Sequence, residues 1–383
     1  MIKLLVIPSQ EFSTTYSGTR YLLSELSKRG VFVTVFLRVP PERMSQYAGV
    51  PFKIDFFTWW SPCWPRWKRV ISILYYRILV LFRLMRARVV LLTESLYLPE
   101  VTFVKRLRPS MCFIQYCQEL QIPEEYPQLW SAKQYAKYAH IADLVLDVEP
   151  HRAQIRKQRF SLRSLPIVIR NTLPYNLISH DGSFSELTGC EIPKDRPIVL
   201  YAGGIGVEKP FSRIIHVIAA QKGCCRLVAF CATTPELLHD AQVQAAKSLP
   251  KGSYLISGGV NHDSLIRAMH EADIGLVDYS YSIEPTTNQK FCAPTKLYEY
   301  LAAGLAVVGS NNESLREVIE NNHVGFCAET DSDASFAEAL TRVIANVDEM
   351  RARAANVFRE KYSYEKCCIP AVNEIYEWLK KRQ

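Results

Sequence analysis

The apolar positions of this 383-residue chain fall into two series of short runs, spaced by polar loops and helical stretches. The first series is Ile2–Ile7, Val31–Leu37, Val89–Leu92, Cys112–Tyr116, Leu144–Val148 and Leu165–Ile169. The second is Ile198–Tyr201, Arg226–Cys231, Tyr254–Ile256, Ile274–Val277 and Leu305–Val308. Such runs read as strands covered on both faces, which is the habit of parallel sheets. Helical spacing fills the gaps: Thr19–Lys28 turns Leu22, Leu23 and Leu26 to one side and stops at Gly30. Further helices are predicted over 133–142, 265–273, 335–344 and 364–383, the last with Ile375, Trp378 and Leu379 inward. Strand–helix alternation of this kind predicts an α/β chain built from doubly wound sheets.

The stretch Lys290–Ser310, KFCAPTKLYEYLAAGLAVVGS, organises the second series. Pro294 suits the start of a helix, where its fixed φ fits and its missing N–H is not needed. Leu297, Leu301 and Ala302 recur at helical spacing, Gly304 supplies a left-handed cap, and Leu305–Val308 is a strand. Thr295, Lys296 and Glu299 are the polar residues left over. A helix N-terminus offers N–H groups and partial positive charge to a phosphate. Lys296 and Glu299 share a face one turn inside it, where a carboxylate can accept from a ribose diol. A surface helix with one ordinary ion pair fits the spacing as well.

The pattern P-x-K-L-x-E-Y-x-A-x-G at 294–304, followed by a strand and then by Leu315–Ile319 and Gly325–Phe326, resembles the carboxyl-terminal domain of GT-B fold glycosyltransferases of the family 4 type, which are mostly retaining. The resemblance covers most of residues 195–330. It implies a GT-B architecture, α/β, with two Rossmann-like domains whose parallel sheets face a central cleft. It also implies that Gly203, Gly204 and Lys209, after the strand ending at Tyr201, approach and neutralise a donor diphosphate. Val260, in the loop after Tyr254–Ile256, would pack on the base, and Pro294, Thr295, Lys296 and Glu299 would complete the donor site. Two positions of this donor-side stretch depart from the family. Gly204 stands where an arginine is frequent, and Phe291 stands where the first glutamate of a paired set would contact the donor sugar.

Within the first series, Ser17 and Gly18 follow the first strand, where relatives face the donor diphosphate and where a plain turn serves equally well. Gln118-Glu119-Leu120 follows Cys112–Tyr116 and is similar to the family's H-E-L motif, with Gln118 in the histidine's place. Glu119 reads as the only acidic group close to that strand end, so Glu119 and Gln118 are the catalytic candidates, with a helix-capping carboxylate as the alternative. Asn171 resembles the turn at which such chains leave the first domain. These features set the expected domains at 1–174, a linker over 175–196, a nucleotide-sugar domain over 197–362, and a closing helix over 363–383 that crosses back to the first domain or caps the second.

Phe56–Thr93 stands apart from both series. It holds Trp59, Trp60, Trp64 and Trp67, seven basic residues and no acidic one. Ile71, Leu74, Ile78, Leu81, Phe82 and Met85 form one helical face. The apolar run Val70–Phe82 is too short to span a bilayer. Tryptophan and arginine beside an apolar helix point to a helix lying on an anionic membrane surface through residues 59–88; a core helix with a basic edge is the other reading. A net charge of +8 suits anionic substrates or surfaces, and no concentrated basic stripe with a reader motif suggests nucleic acid. Eleven cysteines, with adjacent pairs at Cys224-Cys225 and Cys367-Cys368 and none at C-x-x-C spacing, point to reduced thiols in a cytosol. Met1–Pro8 reads as a first strand and not as a signal peptide. Asp331-Ser332-Asp333 is a D-x-D string that precedes a helix and reads as its cap. No divalent metal or other cofactor is expected.

The residues and the resemblance together predict a metal-independent hexosyltransferase-like enzyme on the inner face of the cytoplasmic membrane. It would carry a sugar from a UDP- or GDP-sugar to a glycan or lipid-linked acceptor in bacterial lipopolysaccharide, O-antigen or capsule synthesis. A GT-B epimerase-like enzyme and a non-catalytic nucleotide-sugar-binding module remain as alternatives.

Overall fold

The computed structural model describes residues 1–8, 17–179, 181–205, 211–279, 285–329 and 332–382. The chain divides into two compact units. The first comprises Met1–Asn171, Thr286–Asn288 and Cys368–Gln383; the second comprises Thr172–Pro285 and Gln289–Cys367.

The first unit holds seven parallel strands: β1 (Lys3–Ile7), β2 (Phe32–Arg38), β3 (Lys53–Phe57), β4 (Val89–Thr93), β5 (Cys112–Cys117), β6 (Leu144–Asp147) and β7 (Ile167–Val168). Their order is β3-β2-β1-β4-β5-β6-β7. The unbroken apolar runs of β1, β4 and β5 are central and buried, as runs without alternation require. β3 has no such run. Its register, Thr34↔Lys53 to Arg38↔Phe57, leaves it partly exposed at the sheet edge, which is why apolar pattern missed it. Leu22, Leu23 and Leu26 of the helix Ser17–Lys28 are fully buried. The closing helix Ile369–Lys380 belongs to this unit and packs beside that helix. It buries Val372, Ile375 and Leu379 completely, each worth about 1.5–3 kcal/mol against exposure. Trp378 is only half-buried, its ring under the Arg382 guanidinium at 3.9 Å.

The second unit holds β8 (Ile198–Gly204), β9 (Arg226–Ala232), β10 (Tyr254–Gly258), β11 (Ile274–Val277), β12 (Ala306–Ser310) and β13 (Gly325–Ala328), all parallel, in the order β10-β9-β8-β11-β12-β13. Each sheet is flanked by helices, giving two Rossmann-like halves.

The segment expected as a linker, 175–196, is part of the second unit. Its polar composition hides one anchor: Phe184 opens a short helix through a Ser183–Glu186 capping box and is buried against the Phe230 ring on β9, 5.6 Å away. The division falls instead at Asn171–Thr172, where Thr172 Oγ1 donates to the Tyr362 carbonyl at 2.6 Å inside the second unit. Asp333 opens the helix Asp333–Ile344, with Ser332 as its N-cap, two residues earlier than spacing predicts. Asp333 pairs with Arg213 and His216 at 3.0 Å; Asp331 lies outside the described residues.

The helix Arg66–Arg86 settles which of its faces is inward. Ser72, Tyr76, Val80 and Leu84 are buried. The apolar face named from the sequence is the outward one: Leu74 is 56% exposed, Ile78 49%, Phe82 59% and Met85 41%, with Ile71 and Val70 alongside and Leu81 at the margin. Trp67 is 65% exposed and Trp59 lies at the surface, whereas Trp60 sits beneath the Arg38 guanidinium at 4.3 Å and Trp64 beneath the Lys68 amine at 3.9 Å. No described helix is long and apolar enough to cross a membrane.

Candidate functional site

In the second unit the candidate donor residues gather at the C-terminal end of β8. Pro294 is the N-cap of the helix Thr295–Ala302, with φ −72° and ψ 128°, and no side chain caps that end. Gly304, at φ +72°, terminates the motif, and the Leu305 N–H reaches back to the Tyr300 carbonyl at 2.9 Å. The helix is fixed from beneath. Tyr300 is fully buried, and its hydroxyl accepts from the Ala202 N–H of β8 at 2.9 Å. That brace sets the first helical turn against the strand end and carries Lys296 across it. The Lys296 amine lies 4.8 Å from the Tyr201 ring centre and 5.6 Å from that of Tyr279. A Cβ placed on Gly203 would stand 2.6 Å from that amine, the mobile end of the lysine side chain, which would have to move aside. Tyr201 donates to the Gly204 carbonyl at 2.8 Å, and Gly204 itself is exposed. Gly203, Gly204, Thr295 and Lys296 are thus brought to one strand end. Lys209 lies outside the described residues.

Glu299 is buried, and its carboxylate receives the Nε2 edge of His262 at 2.8 Å. His262 is the first residue of the helix His262–Ala268, capped by Asn261, and Val260 precedes that cap half-buried. The Asn261 cap with Ser264 three residues on marks the helix start in the sequence. The histidine's partner 37 positions away is not legible there. Phe291, at the position of the family's first glutamate, is buried, so no carboxylate stands there.

In the first unit the candidates collect at the C-terminal ends of β4, β5 and β6. A Cβ on Gly18 would fall 2.8 Å from the Tyr116 hydroxyl and 3.1 Å from the Asn171 side-chain oxygen. Packing within the unit therefore already demands glycine at this place. Ser17 begins the same helix, and its side chain lies outside the described residues. Gln118 is buried, with its amide donating to Thr19 Oγ1 at 2.8 Å. Glu119 is exposed; its carboxylate accepts from Asn288 Nδ2 at 2.5 Å and stands 3.7 Å from Arg152. Two arginines of the helix Pro150–Arg159 hold the backbone of this turn: Arg152 donates to the Gln118 carbonyl at 2.8 Å and Arg156 to that of Glu119 at 3.0 Å. Arg156 is itself buried on Asp147 at 2.6 Å, with the Tyr135 ring 4.9 Å away.

Glu119 is not the only acid at this end of the sheet. Glu94, immediately after β4, sends Oε1 to the N–H groups of Gln118 at 2.7 Å and Glu119 at 3.1 Å. Burial, with the Glu119 charge adding to it, pushes the Glu94 carboxyl up from 4.5 to about 7. Sequence reasoning passed over it, although an acid directly after an apolar parallel strand is the available signal.

Residues 189–361 match the family described as Glycosyl transferases group 1. They form a Glycosyl transferases group 1 domain. The whole chain is similar in fold to HepE from Anabaena in complex with UDP and glucose, at 13% identity and a TM-score of 0.75, with 100% of each chain covered. It is also similar to a glycosyltransferase from Rickettsia africae, at 15% identity and 0.73, covering 100% of this chain and 98% of that one. WaaG, a glycosyltransferase involved in lipopolysaccharide biosynthesis, matches at 12% identity and 0.62, with 99% of each chain covered. At these identities the likeness establishes the fold, which is of the GT-B glycosyltransferase type. No curated protein sequence matches the chain.

Proposed function

We propose that the protein transfers a sugar from a UDP- or GDP-sugar to a glycan or lipid-linked acceptor of a bacterial surface polysaccharide, on the anionic inner face of the cytoplasmic membrane and without a metal. The observation that carries the reading is the Lys296 amine lodged over Gly203 at the strand end, beside the uncapped start of the helix Thr295–Ala302. When the bond between the anomeric carbon and the diphosphate breaks, negative charge grows on the leaving oxygen. A preset amine and a helix N-terminus stabilise that charge without rearranging. Glu299, oriented by His262, is placed to accept from the ribose diol, and Glu119 and Gln118 belong to the acceptor side. HepE, whose complex contains UDP, supports a uridine donor; WaaG supports a surface-glycan acceptor. The family 4 resemblance favours retention of the anomeric configuration. The outward apolar face of Arg66–Arg86, with exposed Arg66, Arg86 and Arg88, supports the membrane.

A non-catalytic nucleotide-sugar-binding module is favoured by one feature, the buried Phe291 in place of a sugar-contacting carboxylate. A thermal-shift panel of UDP, GDP, CMP and their sugars tests nucleotide binding, since a ligand at a hundred times its Kd adds about 2.7 kcal/mol. A shift with UDP or GDP and their sugars, followed by sugar transfer, supports the enzyme. Silence across the panel rejects both readings.

A further inference from the structure

Lys296 and Glu299 stand three positions apart on one face of the helix Thr295–Ala302, a spacing at which base and acid ordinarily pair. In the structure Glu299 turns elsewhere. It is 5% exposed, and its Oε1 meets Nε2 of His262 at 2.8 Å, 37 positions back along the chain. A carboxylate only accepts, so the ring carries its hydrogen on Nε2. Oε2 accepts no hydrogen bond among the described residues. The Lys296 amine lies instead over the rings of Tyr201, at 4.8 Å, and Tyr279, at 5.6 Å.

Both partners of the His262–Glu299 contact stand on pinned backbone. Asn261 Oδ1 accepts from the Ser264 N–H at 3.0 Å, which closes the first turn of the helix His262–Ala268 with the histidine as its first residue. Tyr300, the residue after Glu299, accepts from the Ala202 N–H of β8 at 2.9 Å through its hydroxyl. A buried carboxylate is costly without a partner. A histidine across the fold meets that need here, and a lysine one turn back could meet it too. Pairing with the lysine would silence both groups. The amine would lose its charge toward a phosphate, and the acid would lose its oxygens toward a diol.

We propose that His262 is a positioning residue that holds Glu299 off Lys296, so that the acid selects a ribose diol while the amine stays available to a diphosphate. The inference rests on the nucleotide-sugar reading above and deepens it: the ribose selectivity of the donor site is set by a side chain that need not touch the nucleotide. Every residue it invokes belongs to the second unit.

Two substitutions separate positioning from packing. His262→Gln carries an amide nitrogen close to the place of Nε2 and should keep the contact. His262→Asn carries it a bond short, where Nδ1 stands, and should lose it. Titration calorimetry with UDP and GDP, their 2′,3′-dideoxy forms, and UMP and GMP gives two ratios of Kd for each protein, one for the diol and one for the second phosphate. Wild type should prefer the ribonucleoside diphosphate over its dideoxy form by about tenfold or more, as a hydrogen bond to a charged group implies. In His262→Asn that preference should fall below about threefold, and the preference for diphosphate over monophosphate should fall at least about threefold. His262→Gln should keep both within about twofold of wild type. Each ratio compares two ligands on one protein, so a variant that folds only in part still reports it. His262→Asn with either ratio at its wild-type value overturns the proposal, even where every affinity has dropped, because the histidine then serves packing alone. So does a His262→Gln variant as impaired as His262→Asn. A wild type that binds UDP or GDP with no preference for the diol refutes the inference while sparing nucleotide binding. One that binds neither nucleotide removes the proposed function itself.

Discussion

Glu94→Gln should make the protein more stable at alkaline pH. The ionised Glu94 carboxyl is disfavoured in the fold, where its ordinary value of 4.5 is raised to about 7. Between these values the native state holds a proton that the unfolded chain has released, so stability falls as pH rises across the window. The stabilisation is fully present below 4.5 and is lost by the time pH has passed the folded value. At about 1.4 kcal/mol per unit, the native state is penalised by about 3 kcal/mol once Glu94 is fully charged. Glutamine resembles the protonated acid: neutral, nearly isosteric, with an oxygen for the Gln118 and Glu119 N–H groups. The variant should match wild type near pH 4.5 and exceed it by about 3 kcal/mol at pH 8. The left-handed backbone costs both proteins alike and cancels.

Calorimetry at half-unit pH steps measures the effect on the transition of the first unit. For a unit of this size, 1 kcal/mol moves Tm by roughly 2–4 °C, so the curves should separate by several degrees at pH 8 and converge at pH 4.5–5. A constant offset across pH, or a variant less stable at pH 8, would refute the reasoning. Either result would mean that the two N–H donors and Arg156 already compensate the buried charge. A gain in stability together with a loss of turnover would mark a site that keeps a costly group for its chemistry.

Other expected outcomes are more local. Glu299→Ala should weaken UDP or GDP binding by about 1.5–3 kcal/mol with the fold intact, and an unchanged Kd by titration calorimetry would remove Glu299 from the ribose. Turnover should survive EDTA; complete loss restored by magnesium or manganese would reject metal independence. The protein should sediment with phosphatidylglycerol vesicles at low salt and be released at high salt, since exposed Arg66, Arg86 and Arg88 supply about 1 kcal/mol each near an anionic surface. Replacing Leu74, Ile78 and Phe82 by serine should abolish sedimentation without lowering Tm, and wild-type indifference to such vesicles would make that face a contact for something other than a membrane.

The second unit was legible because its site is local. Pro294, Lys296, Glu299 and Gly304 lie on one helix and its ends, so propensity, capping and resemblance agree about them. What escaped were pairings set by the sheet. His262, opening the helix that follows β10, meets Glu299 37 positions further along the chain. Lys296 meets Gly203 across 93 positions of sequence, through a strand end that lacks a side chain. Phe184 escaped for the opposite reason: one apolar residue within polar surroundings carries no periodicity, although its burial alone places the segment in the second unit.

Two features of the first unit violate the usual local rules. The helix Arg66–Arg86 turns Tyr76, Val80 and Leu84 inward and yet presents a second apolar stripe to solvent. Among the described residues nothing covers the stripe at Leu74, Ile78 and Phe82, so their packing leaves it unexplained. Glu94 likewise costs the fold twice, once in its backbone and once in its charge. Serine would solvate the helix face; at position 94 glycine would accept the left-handed turn but would leave the Gln118 and Glu119 N–H groups without their carboxylate. The donor end of the second unit shows no comparable backbone strain at Pro294 and Gly304, which sit in conformations they favour. On the proposed function, donor binding would rest on features that the fold supplies cheaply. The costs that the fold does bear, an outward apolar stripe and a buried carboxyl on a left-handed backbone, both fall in the first unit.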